Sequence, residues 1–217
     1  MTDEAEIIRK LKESILQFEA ENARIWATKA VAEGVDPAKA ANALTEAIRE
    51  VGEAFGRGDI FLPELVSAAD AMKQAMPVIE EGLKKAGKKR KTLGTLVIGT
   101  VEGDIHDIGK AIVAALFEAS GFQVIDLGIN VPAKAFVDAV KLHKPDLIGL
   151  SALLTTTAPQ QKVVINSLQE AGLRNKVKVI VGGGAITQDF ADRIGADGYG
   201  ANAVEGVQVA VQLLETK

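Results

Sequence analysis

The spacing of apolar residues changes once along the 217-residue chain, and this change constrains the fold more than any other feature. Up to about Gly87, apolar residues recur at helical spacing, for example over 8–18, 44–55 and 65–83. Beyond the charged segment AGKKRK at 86–91, short apolar strands alternate with amphipathic helices. We therefore predict a helical domain at 1–88 and a second domain at 89–217.

The first predicted domain reads as a four-helix bundle. A shorter helix over 25–32 stops at Gly34, and Asp36 followed by Pro37 supplies an N-cap and a first-turn proline for the next helix. Connections are short, as antiparallel neighbours in a bundle require. Pro77 is expected to kink or shorten the fourth helix.

The second predicted domain is an α/β fold with a five-stranded parallel, flavodoxin-like (Rossmann-type) sheet. Its strands are expected at LGTLVIG, FQVIDLG, DLIGLS, VKVIVGG and the weaker DGYGA. With strand order 2-1-3-4-5, the first and third strands are neighbours. The loops that follow them would then bring Asp104, His106 and Ser151 together at the carboxyl edge of the sheet, where such folds bind ligands.

Composition removes several classes of function. The net charge is -4, so the chain lacks the excess of positive charge that holds nucleic acid or an anionic membrane. The absence of cysteine excludes disulfides, thiolate nucleophiles and cysteine-ligated zinc. No apolar run approaches the roughly 20 residues of a membrane helix, and the N-terminus has no signal-peptide pattern, so we expect a cytoplasmic protein without a membrane span.

Asp104, His106 and Ser151 admit several chemical interpretations. A hydrolase triad is disfavoured because GLSAL lacks the second glycine of a nucleophile elbow. A phosphate-binding loop is disfavoured because the glycine spacing is one residue too long and Ala111 stands where Ser or Thr is required. A zinc site is disfavoured because zinc normally needs three or four protein ligands and no second histidine or cysteine lies near His106 in the sequence. One histidine suits an axial ligand to a metal that a macrocycle already holds.

The sequence closely resembles the corrinoid-binding proteins of methyltransferase systems and the cobalamin-binding module of methionine synthase. The motif D-x-H-x-x-G lies at 104–109, S-x-L at 151–153 and G-G at 182–183, while AFGRGDIFLPELVSAADAMKQAM matches the family's helical cap. The resemblance implies a bound cobalamin or related corrinoid, with His106 as lower axial ligand to cobalt. It also implies that Asp104 accepts from the other imidazole nitrogen and that Ser151 hydrogen-bonds Asp104, which makes both proton-relay candidates.

The resemblance implies a larger set of residues that bind the cofactor. Phe55 and Leu62 would cover the upper face of the corrin. Because such a cover has to open for methyl transfer, we expect the basic segment at 86–91 to be the hinge between the two domains. The full set comprises Asp104, His106, Asp107, Ile108, Gly109, Ser151, Leu153, Thr155, Thr157, Gly182, Gly183, Gly184, Tyr199, Ala201, Phe55 and Leu62.

The function implied is that of a methyl carrier, not catalytic alone, which cycles between cobalt(I) and methylcobalt(III). Its expected partners are a substrate:corrinoid methyltransferase and a corrinoid:acceptor methyltransferase. The alternatives are a mutase subunit, a cobalamin-dependent sensor or regulator, and an interaction module without cofactor. The methyl donor, the final acceptor and the native lower base stay open.

Overall fold

The computed structural model describes residues 3–88 and 92–215, and its N-terminal part is helical. The helices are α1 (Glu4–Leu16), α2 (Ala20–Ala32), α3 (Pro37–Arg57) and α4 (Leu62–Lys85). Asp36 caps α3, since its Oδ1 accepts from the Ala38 amide at 2.9 Å and Pro37 begins the helix. The four helices predicted for this part of the chain are confirmed.

The apolar stripes of α1 to α4 form the core of the helical part. α2 packs on α4, and α1 and α4 both pack on α3. Ile7 and Leu11 of α1, Ile48 of α3 and Ile79 of α4 are buried. Leu11 and Ile15 of the predicted stripe are fully buried, whereas at its start Ile7 is fully buried rather than Ile8. α4 continues through Pro77 to Lys85.

A five-stranded parallel sheet organises the rest of the chain. Its order is β2-β1-β3-β4-β5, with β1 paired to both β2 and β3. This confirms the predicted α/β class and strand order. The strands are β1 (Thr95–Thr100), β2 (Gln123–Asp126), β3 (Leu147–Ser151), β4 (Lys178–Gly182) and β5 (Gly198–Gly200). The helices are α5 (Ile108–Ala119), α6 (Ala133–His143), α7 (Pro159–Glu170), α8 (Gln188–Ile194) and α9 (Ala203–Glu215).

Each face of the sheet carries its own apolar core. On one face, Ile148 and Leu150 of β3 pack with residues of α6 and α7. On the other face, Leu147 packs with residues of α5 and α9. Because successive strand residues point to opposite faces, Ser151 lies on the same face as Leu147.

The chain divides into two compact units. The first comprises Met1–Thr92 and Glu118–Gly121, and the second comprises Leu93–Phe117 and Phe122–Lys217. The predicted boundary at residue 88 and the hinge at AGKKRK stay predictions, since Lys89, Arg90 and Lys91 lie outside the described residues. Within 3–88 and 92–215, no helix combines the length and the hydropathy that crossing a membrane requires.

Candidate corrinoid site

The loop from β1 to α5 is fixed by its neighbours before it reaches the histidine. The Val101 amide donates to the Ser151 carbonyl at 3.0 Å, which extends the pairing of β1 with β3 beyond the strand. The buried Thr100 hydroxyl donates to the His106 carbonyl at 3.0 Å. The loop therefore returns over the carboxyl end of its own strand and holds its histidine at the edge predicted to bind ligands.

Asp104 and His106 form a directly bonded pair. Oδ1 of Asp104 accepts from the His106 amide at 3.0 Å and lies 2.7 Å from Nδ1 of the imidazole. An ionised carboxylate can only accept, so Nδ1 is assigned as the protonated nitrogen and Nε2 keeps its lone pair. The Asp104 side chain is fully buried, whereas that of His106 is 46% exposed. The pair thus presents one imidazole nitrogen that can bind a metal.

The second oxygen of Asp104 is held by the segment that follows β3. Oδ2 accepts from the Thr157 hydroxyl at 2.6 Å, from the Leu153 amide at 2.8 Å and more weakly from the Leu154 amide at 3.4 Å. Burial alone would raise the pKa of Asp104, but the hydrogen bonds from Thr157, His106 and Leu153 outweigh it and hold the pKa below its ordinary value. Asp104 is therefore a carboxylate at neutral pH.

The resemblance implies a hydrogen bond from Ser151 to Asp104, and this prediction is wrong. The structure gives that bond to Thr157, not to Ser151. Ser151 is the last residue of β3, and strand alternation points its side chain to the α5 and α9 face. Thr157 lies in the turn before α7, which folds back over the carboxylate. Thr157 was predicted only as a contact to the corrin or its tail.

The strand ends on the α5 and α9 face become small towards the carboxyl edge. Leu96, Leu147 and Ile180 fill this face lower in the sheet. By alternation, Ser151 and Gly182 occupy it at the upper end, and both are partly exposed. A Cβ added at Gly182 would meet only the Gly200 carbonyl oxygen, at 3.1 Å. Small residues here leave backbone accessible, which suits a narrow ligand segment laid against the sheet.

Gly183 joins the loops that follow β3 and β4. Its φ is +122°, and a Cβ placed there would lie 1.9 Å from the Ala152 carbonyl oxygen. A Cβ at Gly184 would lie 2.7 Å from Cδ1 of Leu153. These two predicted glycines therefore serve close packing between loops in the structure itself. By contrast, a Cβ at Gly109 would meet no protein atom within 4 Å, so that glycine leaves open space near His106.

Apolar side chains of the histidine loop and of the segment after β3 are exposed. Ile105 is 69% and Ile108 78% exposed, on either side of His106 and Asp107. Leu153 and Leu154, whose amides face Asp104, are each 43% exposed. Clustered apolar exposure of this kind marks a binding surface. The surface suits a flat, largely apolar ring system centred on the imidazole.

The other predicted residues are more scattered. Thr155 and Ala201 are exposed, in the loops after β3 and β5. Tyr199 is partly buried against the core on the α6 and α7 face, opposite Ser151. Phe55 in α3 and Leu62 at the start of α4 are half-buried in the helical unit. Cofactor binding by these residues stays a prediction.

Two residues that contact the histidine loop or the residue after the histidine are not among the predicted site residues. Asn130 has φ +52°; its side-chain Oδ1 accepts from the Gly103 amide at 2.8 Å, and its own amide donates to the Asp104 carbonyl at 2.9 Å. Lys110 is buried and pairs with Asp107 and Asp126. An asparagine in DLGINVP and a lysine three residues after an aspartate were the available signals.

Among the described residues, no group of three or more His, Asp or Glu side chains gathers to hold a metal ion. His106 offers a single nitrogen donor, oriented by a carboxylate, inside an apolar surface. This donor set fits a metal whose other ligands come from its own macrocycle, with Asp104 as the residue that orients the imidazole. Fold and site together define a cobalamin-binding protein.

Comparison with known proteins gives the family. A family model described as B12 binding domain matches residues 94–208, and a second model of the same description matches residues 7–80. The chain belongs to the corrinoid proteins of the methylamine and methanol methyltransferase systems. It binds cobalamin or a related corrinoid.

Three similar proteins illustrate the match. The chain is 47% identical to the trimethylamine corrinoid protein of Methanosarcina barkeri over 208 residues, covering 95% of this chain and 96% of that protein. It is 44% identical to dimethylamine corrinoid protein 1 of Methanosarcina mazei over 218 residues, covering 100% of both. The methanol:cobalamin methyltransferase complex of Methanosarcina barkeri matches with a TM-score of 0.83 at 35% identity, covering 98% of this chain and 81% of that one.

Proposed function

We propose that the chain is the methyl carrier of a methyltransferase pair and that Nε2 of His106 is the lower axial ligand of its corrinoid. The observation that carries the proposal is the hydrogen bond between the buried carboxylate of Asp104 and Nδ1 of His106. This bond leaves the lone pair of Nε2 available to a metal. When bound, the corrinoid supplies the chemistry, because its cobalt can cycle between cobalt(I) and methylcobalt(III).

The protein's own contribution is to bind, orient and cover. Asp104 fixes the tautomer and the direction of the imidazole. Thr157 and the Leu153 amide fix Asp104 in turn. Ile105, Ile108 and the small residues at the strand ends supply apolar area and close backbone approach.

The role that we propose for the helical unit is to cover the corrinoid. We propose that Phe55 and Leu62 face the side of the corrin away from His106, in a part of the chain that the second B12 binding domain model spans. A cover of this kind must move aside when a partner enzyme approaches. Both residues are apolar and only half-buried, so part of their surface is available for contact.

We propose two enzyme partners, one that loads the methyl group and one that removes it. The similar proteins are named for trimethylamine and dimethylamine, and the matched structure is a complex with a methyltransferase. These names favour a methylamine as the source of the methyl group, selected by the partner enzyme. The sequence matches to these proteins extend over nearly the whole chain, which favours a methyl carrier over a mutase subunit or a regulator.

The first test is spectroscopic. The purified protein is mixed with hydroxocobalamin and desalted, beside His106→Ala and the matched control His143→Ala, which removes the other histidine, an exposed one on α6. We expect the wild-type protein and His143→Ala to retain pigment with an imidazole-ligated spectrum, and His106→Ala to lose that spectrum. A colourless wild-type protein, or an unchanged spectrum in His106→Ala, would contradict the proposal.

The carrier role is tested by methyl transfer. Reduced, loaded protein is incubated with labelled trimethylamine, dimethylamine or methanol, with and without the methyltransferase specific for each compound. We expect label on the protein-bound corrinoid only when a cognate methyltransferase is present. The partner scheme would be contradicted if the corrinoid became labelled without a methyltransferase, or if it stayed unlabelled with each of the three methyltransferases. Neither result would contradict corrinoid binding.

A further inference from the structure

A buried lysine lies beside the histidine loop and has no role in the function proposed above. Lys110 is 2% exposed, in the first turn of α5. Its Nζ pairs with Oδ1 of Asp107 at 2.8 Å and with Oδ2 of Asp126, the last residue of β2. Oδ1 of Asp126 accepts from the Gly128 amide at 2.9 Å. One ammonium group therefore links the start of α5 to the end of a strand.

Burial of an ammonium group requires strong compensation, because the charge loses its hydration. Two carboxylates supply it here, and both keep access to water: the Asp107 side chain is 57% exposed and that of Asp126 is 26% exposed. The lysine is the buried member and the aspartates are the hydrated members. Through Lys110, the arrangement links Asp107 to the end of β2, and it does so without burying the Asp107 carboxylate.

Asp107 follows His106 directly, so its position fixes the peptide that carries the histidine. On one side of that peptide, the His106 carbonyl accepts from Thr100. On the other side, the Asp107 carbonyl accepts from the Ala111 amide at 2.8 Å while its carboxylate binds Lys110. The backbone at His106 is thus anchored both to β1 and, through Lys110, to β2.

We infer that Lys110 is a positioning residue: its ammonium links Asp107 to Asp126 and thereby sets the direction in which His106 presents Nε2. The inference rests on the proposed ligation by His106. Residues that orient a metal ligand from outside typically change metal affinity by about 10-fold or more when removed. Lys110 acts through the backbone of Asp107, whereas Asp104 acts on the imidazole itself.

The test replaces Lys110 by methionine, which has a similar length and no charge. Full-length Lys110→Met is loaded with hydroxocobalamin, and the ratio of imidazole-ligated to unligated pigment is read from the visible spectrum at equal pigment content. The thermal midpoint of the cofactor-free protein is measured in parallel. We expect the ratio to fall about 10-fold, beyond any change that follows from stability alone.

Two further variants separate positioning from general destabilisation. Arg174→Met removes a partly buried ion pair of the same unit, between Arg174 and Asp197, each 18% exposed. It should lower the thermal midpoint and leave the ligated ratio unchanged. Asp107→Asn should lower the ratio as Lys110→Met does, and the double variant should lower it no further. If Lys110→Met fails to fold, Asp107→Asn alone decides.

An unchanged ratio in both Lys110→Met and Asp107→Asn would overturn the inference. So would an equal fall in Arg174→Met, or additive effects of Lys110→Met and Asp107→Asn. Failure of the underlying function looks different, because then the wild-type protein itself shows no spectrum that depends on His106.

Discussion

Replacing Thr157 by valine tests the network around Asp104 most directly. Valine keeps the branched shape of a buried side chain, so the change removes a hydroxyl without opening a cavity. The lost hydrogen bond, at 2.6 Å to an ionised carboxylate, belongs to the class worth about 1.5–3 kcal/mol. Oδ2 keeps the Leu153 amide at 2.8 Å, so it is not left without a donor. We therefore expect a loss of about 2 kcal/mol, roughly a thirtyfold change in the folding equilibrium constant.

The assay follows urea unfolding of the cofactor-free protein with two probes. The single tryptophan, Trp26, lies in the helical unit, and the single tyrosine, Tyr199, lies in the sheet unit. The loss should be seen in the ultraviolet absorbance of Tyr199. Fluorescence of Trp26 then shows whether the helical unit unfolds in the same transition.

Two matched variants make the result decisive. Thr156→Val makes the same chemical change at an exposed neighbour and should stay within about 0.5 kcal/mol of the wild-type protein. Ser151→Ala tests the assignment made from the sequence and should cost less than Thr157→Val. If Ser151→Ala gives the larger loss, or if Thr157→Val behaves like Thr156→Val, the network described here is wrong.

Two glycine substitutions should give opposite results. Gly183→Ala should destabilise the sheet unit by more than about 3 kcal/mol, because the new Cβ would lie 1.9 Å from a carbonyl oxygen at positive φ; a near-normal thermal midpoint would refute this. Gly109→Ala should leave the cofactor-free protein as stable or up to about 0.5 kcal/mol more stable, since it adds a helix former in open space. It should nevertheless weaken corrinoid retention after desalting, and unchanged retention would show that Gly109 does not face the cofactor.

Much of the fold could be predicted because its signals are local. The change of hydrophobic period separates bundle from sheet, and Asp36 followed by Pro37 marks a helix start that the structure confirms. Strand order could be predicted because alternating strands and helices allow only a few sheet topologies. Pro77 was harder, because the effect of a proline inside a helix depends on tertiary packing; α4 runs on to Lys85.

The contact between Asp104 and His106 was predicted, whereas the hydroxyl that binds Asp104 was not. Ser151 and Thr157 both follow the same strand, and sequence spacing does not show which hydroxyl the turn brings to Asp104. Strand alternation decides against Ser151 once the two core faces are known. The ion pair between Lys110 and Asp126 could not be predicted, since Asp126 lies 16 residues further on and only the pairing of β1 with β2 brings it near.

The charged and polar groups at the site form two separate sets, one that holds Asp104 and one that holds Asp107. Among the described residues, no lysine or arginine pairs with Asp104, which neutral N–H and O–H donors hold in its ionised form. The nearby ammonium of Lys110 binds Asp107 and Asp126 instead. An ammonium on Asp104 would draw electron density away from the bond to Nδ1 and make Nε2 a weaker donor. With neutral donors, the carboxylate is fixed in place while its charge stays directed at the imidazole, so in the proposed site Asp104 orients the histidine and a different residue, Lys110, anchors the loop.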